Sequence, residues 1–416
     1  MNERDAGERR ETLLLIVASR PNATSADVAE IDQILKEPVD WTALVQRTLQ
    51  HGVTAQVFER LLVVAESEVP PDIAAAARAH IDHLRAHNRA LIAQLLSVFD
   101  ALKAADIDII PLKGPLLAHL VYGDATIRAC RDLDFLVRKT DVARIDNVLQ
   151  KLGYRPYPEM PSLTIRQQAA VRALSGQSQL WRADAPAAIE PHWSLAPSNL
   201  CLAIDHEGMW QRSRLITFER REIRSLAPED LVLSIAVHGG KDEWSKLLTV
   251  SDIARAIASF EKLDWQLVLE RAKRQRCLRM LLTGMGLVER LMGIALPPAV
   301  VAACVGDRDI SHLARAAADQ MLARGPTAKS IFELSQNRLR LHDHWWNRVR
   351  YAAATMLTPR EQHFGLVRLP DRLFFLYCPI KVAHDYILLP IWRLLKRARL
   401  VDPTHHNMKT TRKSAS

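Results

Sequence analysis

Residues 109–154, IIPLKGPLLAHLVYGDATIRACRDLDFLVRKTDVARIDNVLQKLGY, constrain the rest of the chain more than any other stretch. An apolar run over 107–112 reads as a strand and is followed by Lys113-Gly114. A helical apolar pattern then runs to Tyr122, with Pro115 at an early helical position, where its missing N–H costs least. Residues 131–137 read as a second strand and 141–152 as a helix capped by Thr140 or Asp141. In an extended segment side chains alternate faces, so Asp132 and Asp134 point one way while Leu133 and Phe135 point into the protein. Two like charges on a strand otherwise built for burial repel each other and are costly to desolvate unless a cation joins them. An oxygen-seeking divalent ion, Mg²⁺ (or Mn²⁺), is the usual partner. A solvated strand end would carry the same tripeptide, but Lys113-Gly114 before it, Arg128 and Arg131 beside it and Gly153-Tyr154 after the next helix argue for a site.

Carried by those residues, the stretch resembles the active-site core of the uncharacterised bacterial nucleotidyltransferases within the DNA polymerase β-like nucleotidyltransferase superfamily. The likeness extends to Glu190, His192 and Trp193, which match an acidic-x-His-Trp strand. It continues, in part, to His238 and Lys241, with Asp242 standing where a His is common. The resemblance implies an α+β fold, with a small mixed β-sheet core flanked by N-terminal helices and a larger C-terminal helical region. It implies transfer of a nucleoside monophosphate from a nucleoside triphosphate, ATP above all, to an acceptor that the sequence does not identify. In that scheme Asp132, Asp134 and Glu190 hold the metal ions, with Glu190 as third ligand or base. Lys113, Gly114, Arg128, Arg131 and His192 attend the nucleotide. Pro115 takes the place of the Ser that commonly follows the glycine, so a hydroxyl contact to phosphate is absent there.

Four regions are expected: N-terminal helices over 1–105, the core over 106–225, a helical domain over 226–335 and a basic helical segment over 336–416. Asp40 reads as a helix cap before Trp41, and the apolar stripe from Leu44 to Leu62 and the long helix opening at Pro70-Pro71 are expected to pack on the sheet. His51, His80, His83 and His87 read as solvated or hydrogen-bonded surface residues. Residues 178–193 read as a hairpin, with Pro191 placing its second arm at a sheet edge. Helices are expected from Pro228, over 247–260, from Asp264-Trp265 and over 278–292. His238 reads as a core histidine.

Composition sets outer limits. With 48% hydrophobic and 25% charged residues the chain suits a globular fold with ample core. Five scattered cysteines without C-x-x-C spacing indicate neither a disulfide framework nor a zinc site, and a reducing cytoplasm is the expected setting. The first apolar run, 13–18, is too short for a signal peptide, and no uninterrupted apolar segment reaches the roughly 18 residues of a membrane span. The formal charge is +9, and residues 338–416 carry 15 Lys and Arg against five Asp and Glu, so this end holds the whole excess. It suits an anionic partner, including a peripheral contact with anionic membrane, although packing of the aromatic helix near 373–397 on the helical domain is expected instead. No nucleic-acid module is evident. A nucleotide-binding scaffold without turnover would keep the same acids, and would be marked by Glu190 standing apart from the aspartates.

Overall fold

Alternation along two strands divides the protein's interior into two apolar cores. The structure, a computed structural model, describes residues 3–157, 163–323 and 338–400. Its principal sheet contains β1 (Ile110–Pro111), β2 (Asp132–Leu136), β3 (Arg155–Pro156), β4 (Leu180–Trp181) and β5 (Ala188–His192), in the order β1-β2-β5-β4-β3. β2 and β5 run parallel and the other pairs antiparallel, which makes the sheet mixed as expected. Ile107, Ile109, Leu133, Phe135 and Val137 enter one core, whereas Ile110, Leu112 and Leu136 enter the other. The period of two along an extended chain produces this division.

Five helices precede the sheet: α1 (Glu3–Ser19), α2 (Ser25–Leu35), α3 (Trp41–His51), α4 (Thr54–Val64) and the 34-residue α5 (Pro71–Ala104). Asp40 caps α3 as expected, accepting from the Ala43 N–H at 2.9 Å. Only α5 covers the sheet, through Leu91, Leu95, Val98, Phe99 and Leu102 at helical spacing. α1 to α4 instead share a core with the helices that follow the sheet region, namely α10 (Pro228–Lys241), α11 (Leu247–Ser259), α12 (Trp265–Arg274) and α13 (Leu278–Leu287). The stripe on α3 and α4 is buried chiefly against α1, with α4 also packed on α5. His51 becomes a buried residue, 2% exposed, with Nδ1 accepting from the Leu247 N–H at 3.4 Å.

Within the core region α6 (Gly114–Tyr122), α7 (Val142–Lys151), α8 (Ile165–Ser175) and α9 (His206–Arg212) surround the strands. α7 lacks the expected side-chain cap; Asp141 instead accepts from Arg144 Nη1 at 2.8 Å. The expected 178–193 hairpin is present, but β5 lies inside the sheet and not at its edge. Pro191 is accommodated because its ring nitrogen faces Ser178, whose N–H donates to the Pro191 carbonyl at 3.1 Å, and the regular β4–β5 ladder is confined to Leu180↔Ile189. A second hairpin, β6 (Arg214–Phe218) and β7 (Arg221–Ser225), has no counterpart in the sequence reading. Its turn places Glu219 and Arg220 at φ of 46° and 61°, a conformation normally signalled by Gly, Asn or Asp.

The carboxy-terminal part departs from expectation. Residues Asp371–Trp392 form one helical stretch of 22 residues, long and apolar enough by composition to cross a membrane, with mean hydropathy 1.3 over an 18-residue window of which only 11% is buried. Lys381 and Asp385 interrupt the apolar run in the sequence without removing its high average. Packing of this stretch on the helical domain is therefore not its main environment. The polar, basic tail from Thr404, which reads from the sequence as disordered, and Pro158 and Pro161, which read as part of a Pro-rich connection, lie outside the described residues.

A buried ion pair ties the core to α11. Arg128 Nε and Nη2 donate to Asp252 Oδ1 and Oδ2 at 2.8 and 2.7 Å, and the Tyr122 O–H donates to Asp252 Oδ1 at 2.7 Å. Asp252→Ala leaves a buried guanidinium without its partner, and urea unfolding should show a loss of about 3–5 kcal/mol, most of it regained when Arg128→Met is added.

Candidate active site

The parallel pairing of β2 and β5 sets Asp134 beside Glu190 and Leu136 beside His192. Residues two apart on a strand share a face, so Glu190 and His192 both point to the side of Asp134. His192 Nε2 lies 2.7 Å from Asp134 Oδ1 and 3.7 Å from Glu190 Oε2. Glu190 is held from the other side by Gln177 Nε2 at 2.7 Å and Gln179 Nε2 at 2.8 Å, both donating. At the end of β1 the Leu112 N–H donates to the Asp134 carbonyl at 2.9 Å, which brings the next residue, Lys113, over the same carboxylate; its Nζ lies 3.2 Å from Asp134 Oδ2. Gly114 then opens α6 at φ 69°, a left-handed conformation that favours glycine, and lines the adjoining cavity.

Three carboxylates face one lysine, and the imbalance is visible in their proton affinities. Burial by itself raises the Asp134 carboxyl, but Lys113 and His192 outweigh that and hold it far below the usual range. Asp132 is raised by burial and then by the charge of Asp134; Glu190 is raised by burial and then by Asp134 and Asp132. Asp134 Oδ2 is buried and has no hydrogen-bond partner beyond its ionic contact with Lys113. One donor atom from each of Asp134, Glu190 and His192 lies within 4.8 Å of the others. Carboxylate oxygens suit Mg²⁺ or Mn²⁺, a cation among them would relieve the repulsion that raises Asp132 and Glu190, and so the carboxylates fit such an ion. Asp132, half-buried, lies outside that tight group and faces the neighbouring cavity.

That cavity, about 450 Å³, is enclosed by the N-terminal helices, the core and the helical domain together. Its size falls within the range of small-molecule sites. Lys113, Gly114, Arg131 and Asp132 line one side. Arg128 also borders it, but its guanidinium is engaged by Asp252, which gives it a structural task in place of a free phosphate contact. Leu49 of α3, His80 of α5 and Lys246, with Trp244, of the loop between α10 and α11 also line it; Leu49, His80 and Lys246 come from segments far in sequence from the D-x-D strand, and local pattern does not connect them to it. Lys246 is lowered by partial burial and then by Arg131, so two cations stand close together at this wall. His238, expected in the core, borders the cavity; burial and then Lys113 and Lys241 lower its pKa to about 2, so it is a neutral ring here.

A family model described as an uncharacterised nucleotidyltransferase matches residues 37–293. No curated protein matches the chain. The solution structure of the antibiotic-resistance factor ANT(2'')-Ia is 11% identical and aligns over 45% of this chain and 91% of its own length, with a TM-score of 0.31; a likeness that low carries no argument here. The family match takes in both the D-x-D strand and the Glu190–His192 strand and extends over more than half of the 416 residues, and on that ground the protein belongs to this family of nucleotidyltransferases.

Proposed function

We propose that the protein transfers a nucleoside monophosphate from a nucleoside triphosphate, ATP as the abundant candidate, to an acceptor hydroxyl or phosphate, releasing pyrophosphate. The observation that carries this reading is the convergence of Asp134, Glu190 and His192 beside the Lys113-Gly114 turn, at the wall of a cavity of about 450 Å³. The acceptor oxygen forms a bond to the α-phosphorus as the bond to the β-bridging oxygen breaks, and that oxygen leaves with the electron pair on pyrophosphate. Lys113 and the free N–H groups opening α6 receive phosphate oxygens, with Arg131 and Lys246 supplying further positive charge at the cavity wall.

Asp134 and Glu190, with Asp132 alongside, would hold Mg²⁺ or Mn²⁺, which would supply charge neutralisation for the transferring group and the leaving pyrophosphate. Gln177 and Gln179 fix the direction of Glu190, and His192 fixes that of Asp134. Glu190, where it is not itself a metal ligand, stands at the cluster in a place to accept the acceptor's proton. A scaffold without turnover would have its acids apart; donor atoms of Glu190 and Asp134 within 4.8 Å favour the enzyme. A cytoplasmic setting belongs to the same proposal, and the five unpaired cysteines suit a reducing compartment. Contact of the basic carboxy-terminal segment with a membrane is a separate matter, argued below on its own observations.

Pyrophosphate release from a panel of nucleoside triphosphates, with Mg²⁺ or Mn²⁺ and a range of small-molecule and protein acceptors, tests the reaction. Asp134→Asn should lower kcat by about 10²–10³, and Lys113→Ala should cost on the order of tenfold or more. Equal rates in wild type and Asp134→Asn would defeat the assignment. Independently of turnover, Mn²⁺ at about 100 times its Kd should stabilise the wild type by about 2.7 kcal/mol in thermal unfolding. Glu190→Gln should reduce that gain.

A further inference from the structure

The surface near the carboxy terminus carries the largest accumulation of exposed apolar side chains among the described residues. Phe375 is 64% exposed, and Ile387, Leu388, Ile391, Leu394 and Leu395 are each exposed by about half or more. The last five fall at i, i+1, i+4, i+7 and i+8, the spacing of one helical face. A soluble monomer rarely leaves so continuous an apolar patch in water.

The part of the stretch that precedes these residues is anchored to the protein by polar contacts. Lys381 and Tyr377 are buried, and Lys381 Nζ lies 3.6 Å from Asp385 Oδ2. Asp385 Oδ1 receives His363 Nε2 at 3.0 Å and His384 Nδ1 at 2.8 Å. Tyr377 donates to the Val367 carbonyl at 2.9 Å and accepts from Gln167 Nε2 at 3.0 Å. The His363, His384 and Asp385 group resembles a cation site in its ligand types, but its protons argue otherwise. His363 Nδ1 accepts the Arg360 N–H at 2.9 Å, so in the neutral ring Nε2 carries the hydrogen and offers no lone pair. With the Lys381 ammonium alongside, the group is a clasp that holds the segment before Tyr386 to the protein.

Charge identifies what covers the free face. The sequence places Arg393, Lys396, Arg397 and Arg399 directly after it, within a segment whose 15 basic residues against five acidic ones hold the whole positive excess of the chain. We propose that the stretch Asp371–Trp392 and the helix continuing to Leu400 lie in the interface of an anionic lipid bilayer, the apolar face among the acyl chains and the basic residues at the headgroups. A span is disfavoured although length and hydropathy allow one, because crossing would pull the Lys381–Asp385–His363 clasp into hydrocarbon. An interfacial helix of this kind draws on both apolar burial and attraction to anionic lipid. The inference is independent of the transfer reaction.

The test is co-sedimentation of the full-length protein with vesicles of phosphatidylcholine alone and of phosphatidylcholine containing about one third phosphatidylglycerol. Wild type should partition about tenfold or more in favour of the anionic vesicles at low salt, should lose that preference as salt rises, and should be stripped by alkaline carbonate. Leu388→Asp/Ile391→Asp/Leu395→Asp should reduce partitioning about tenfold or more, with melting temperature and pyrophosphate release in solution unchanged. Wild type remaining in the supernatant, equal binding to neutral vesicles, or resistance to carbonate would each overturn the proposal. So would gel filtration showing a wild-type dimer that the triple substitution dissociates, since a second copy would then occupy the face. If the triple substitution unfolds the protein, the wild-type salt and lipid dependence decides alone.

Discussion

A carboxylate with 1% side-chain exposure cannot remain charged without compensation, and the arrangement around Asp134 supplies it from two directions. His192 reaches one oxygen from the neighbouring parallel strand, and Lys113 reaches the other from the turn between β1 and α6. Both contacts depend on the sheet: register between β2 and β5 delivers the imidazole, and the Leu112 to Asp134 backbone bond delivers the lysine. The same charge then acts on its neighbours, raising the proton affinity of Asp132 and Glu190 and leaving the cluster short of positive charge. Stability and chemistry therefore meet in one side chain.

The sheet can place this cluster because it is held between two cores. Alternate residues of β1 and β2 belong to different clusters, so neither strand can slip by one residue without exchanging apolar and acidic faces. α5 covers one side. On the other, α6 and the joined bundle of α1–α4 with α10–α13 close around the cavity, and the Arg128–Asp252 pair fastens the D-x-D approach to α11. The cavity is thus bounded by segments separated by up to about two hundred residues of chain. The carboxy-terminal helices stand outside this scheme, secured through Lys381 and Asp385 and carrying exposed apolar side chains beyond them.

Much of the local architecture could be read from residue order because short-range rules govern it. Asp40 and Asp264 cap their helices through side-chain bonds to the N–H three residues on, and Pro71 and Pro228 stand in first turns. The hairpin ending in β5 followed from its turn and alternation. The β6–β7 hairpin was hidden because Glu219 and Arg220 occupy positions where a glycine or asparagine would have announced the turn. Pro191 misled for a related reason: a missing N–H usually marks an edge, yet here the neighbouring strand simply ends its regular pairing before that point.

The sequence alone determined which residues carry charge, turn or alternate: the acidic pair on β2, the Lys113-Gly114 turn, the Glu190 and His192 pair on one strand face, and the basic character of the end. These are properties of neighbouring residues, fixed by covalent order and the period of the backbone. Tertiary structure decided the rest. Glu190 reaches Asp134 only through a parallel register between strands 56 positions apart, Arg128 is drawn away to Asp252 by burial, and Lys246 and Trp244 arrive at the cavity from a distant loop. Whether the aromatic stretch near the end packs or faces outward likewise depended on what was left uncovered, because an apolar helix face records a need for burial and not the partner that meets it.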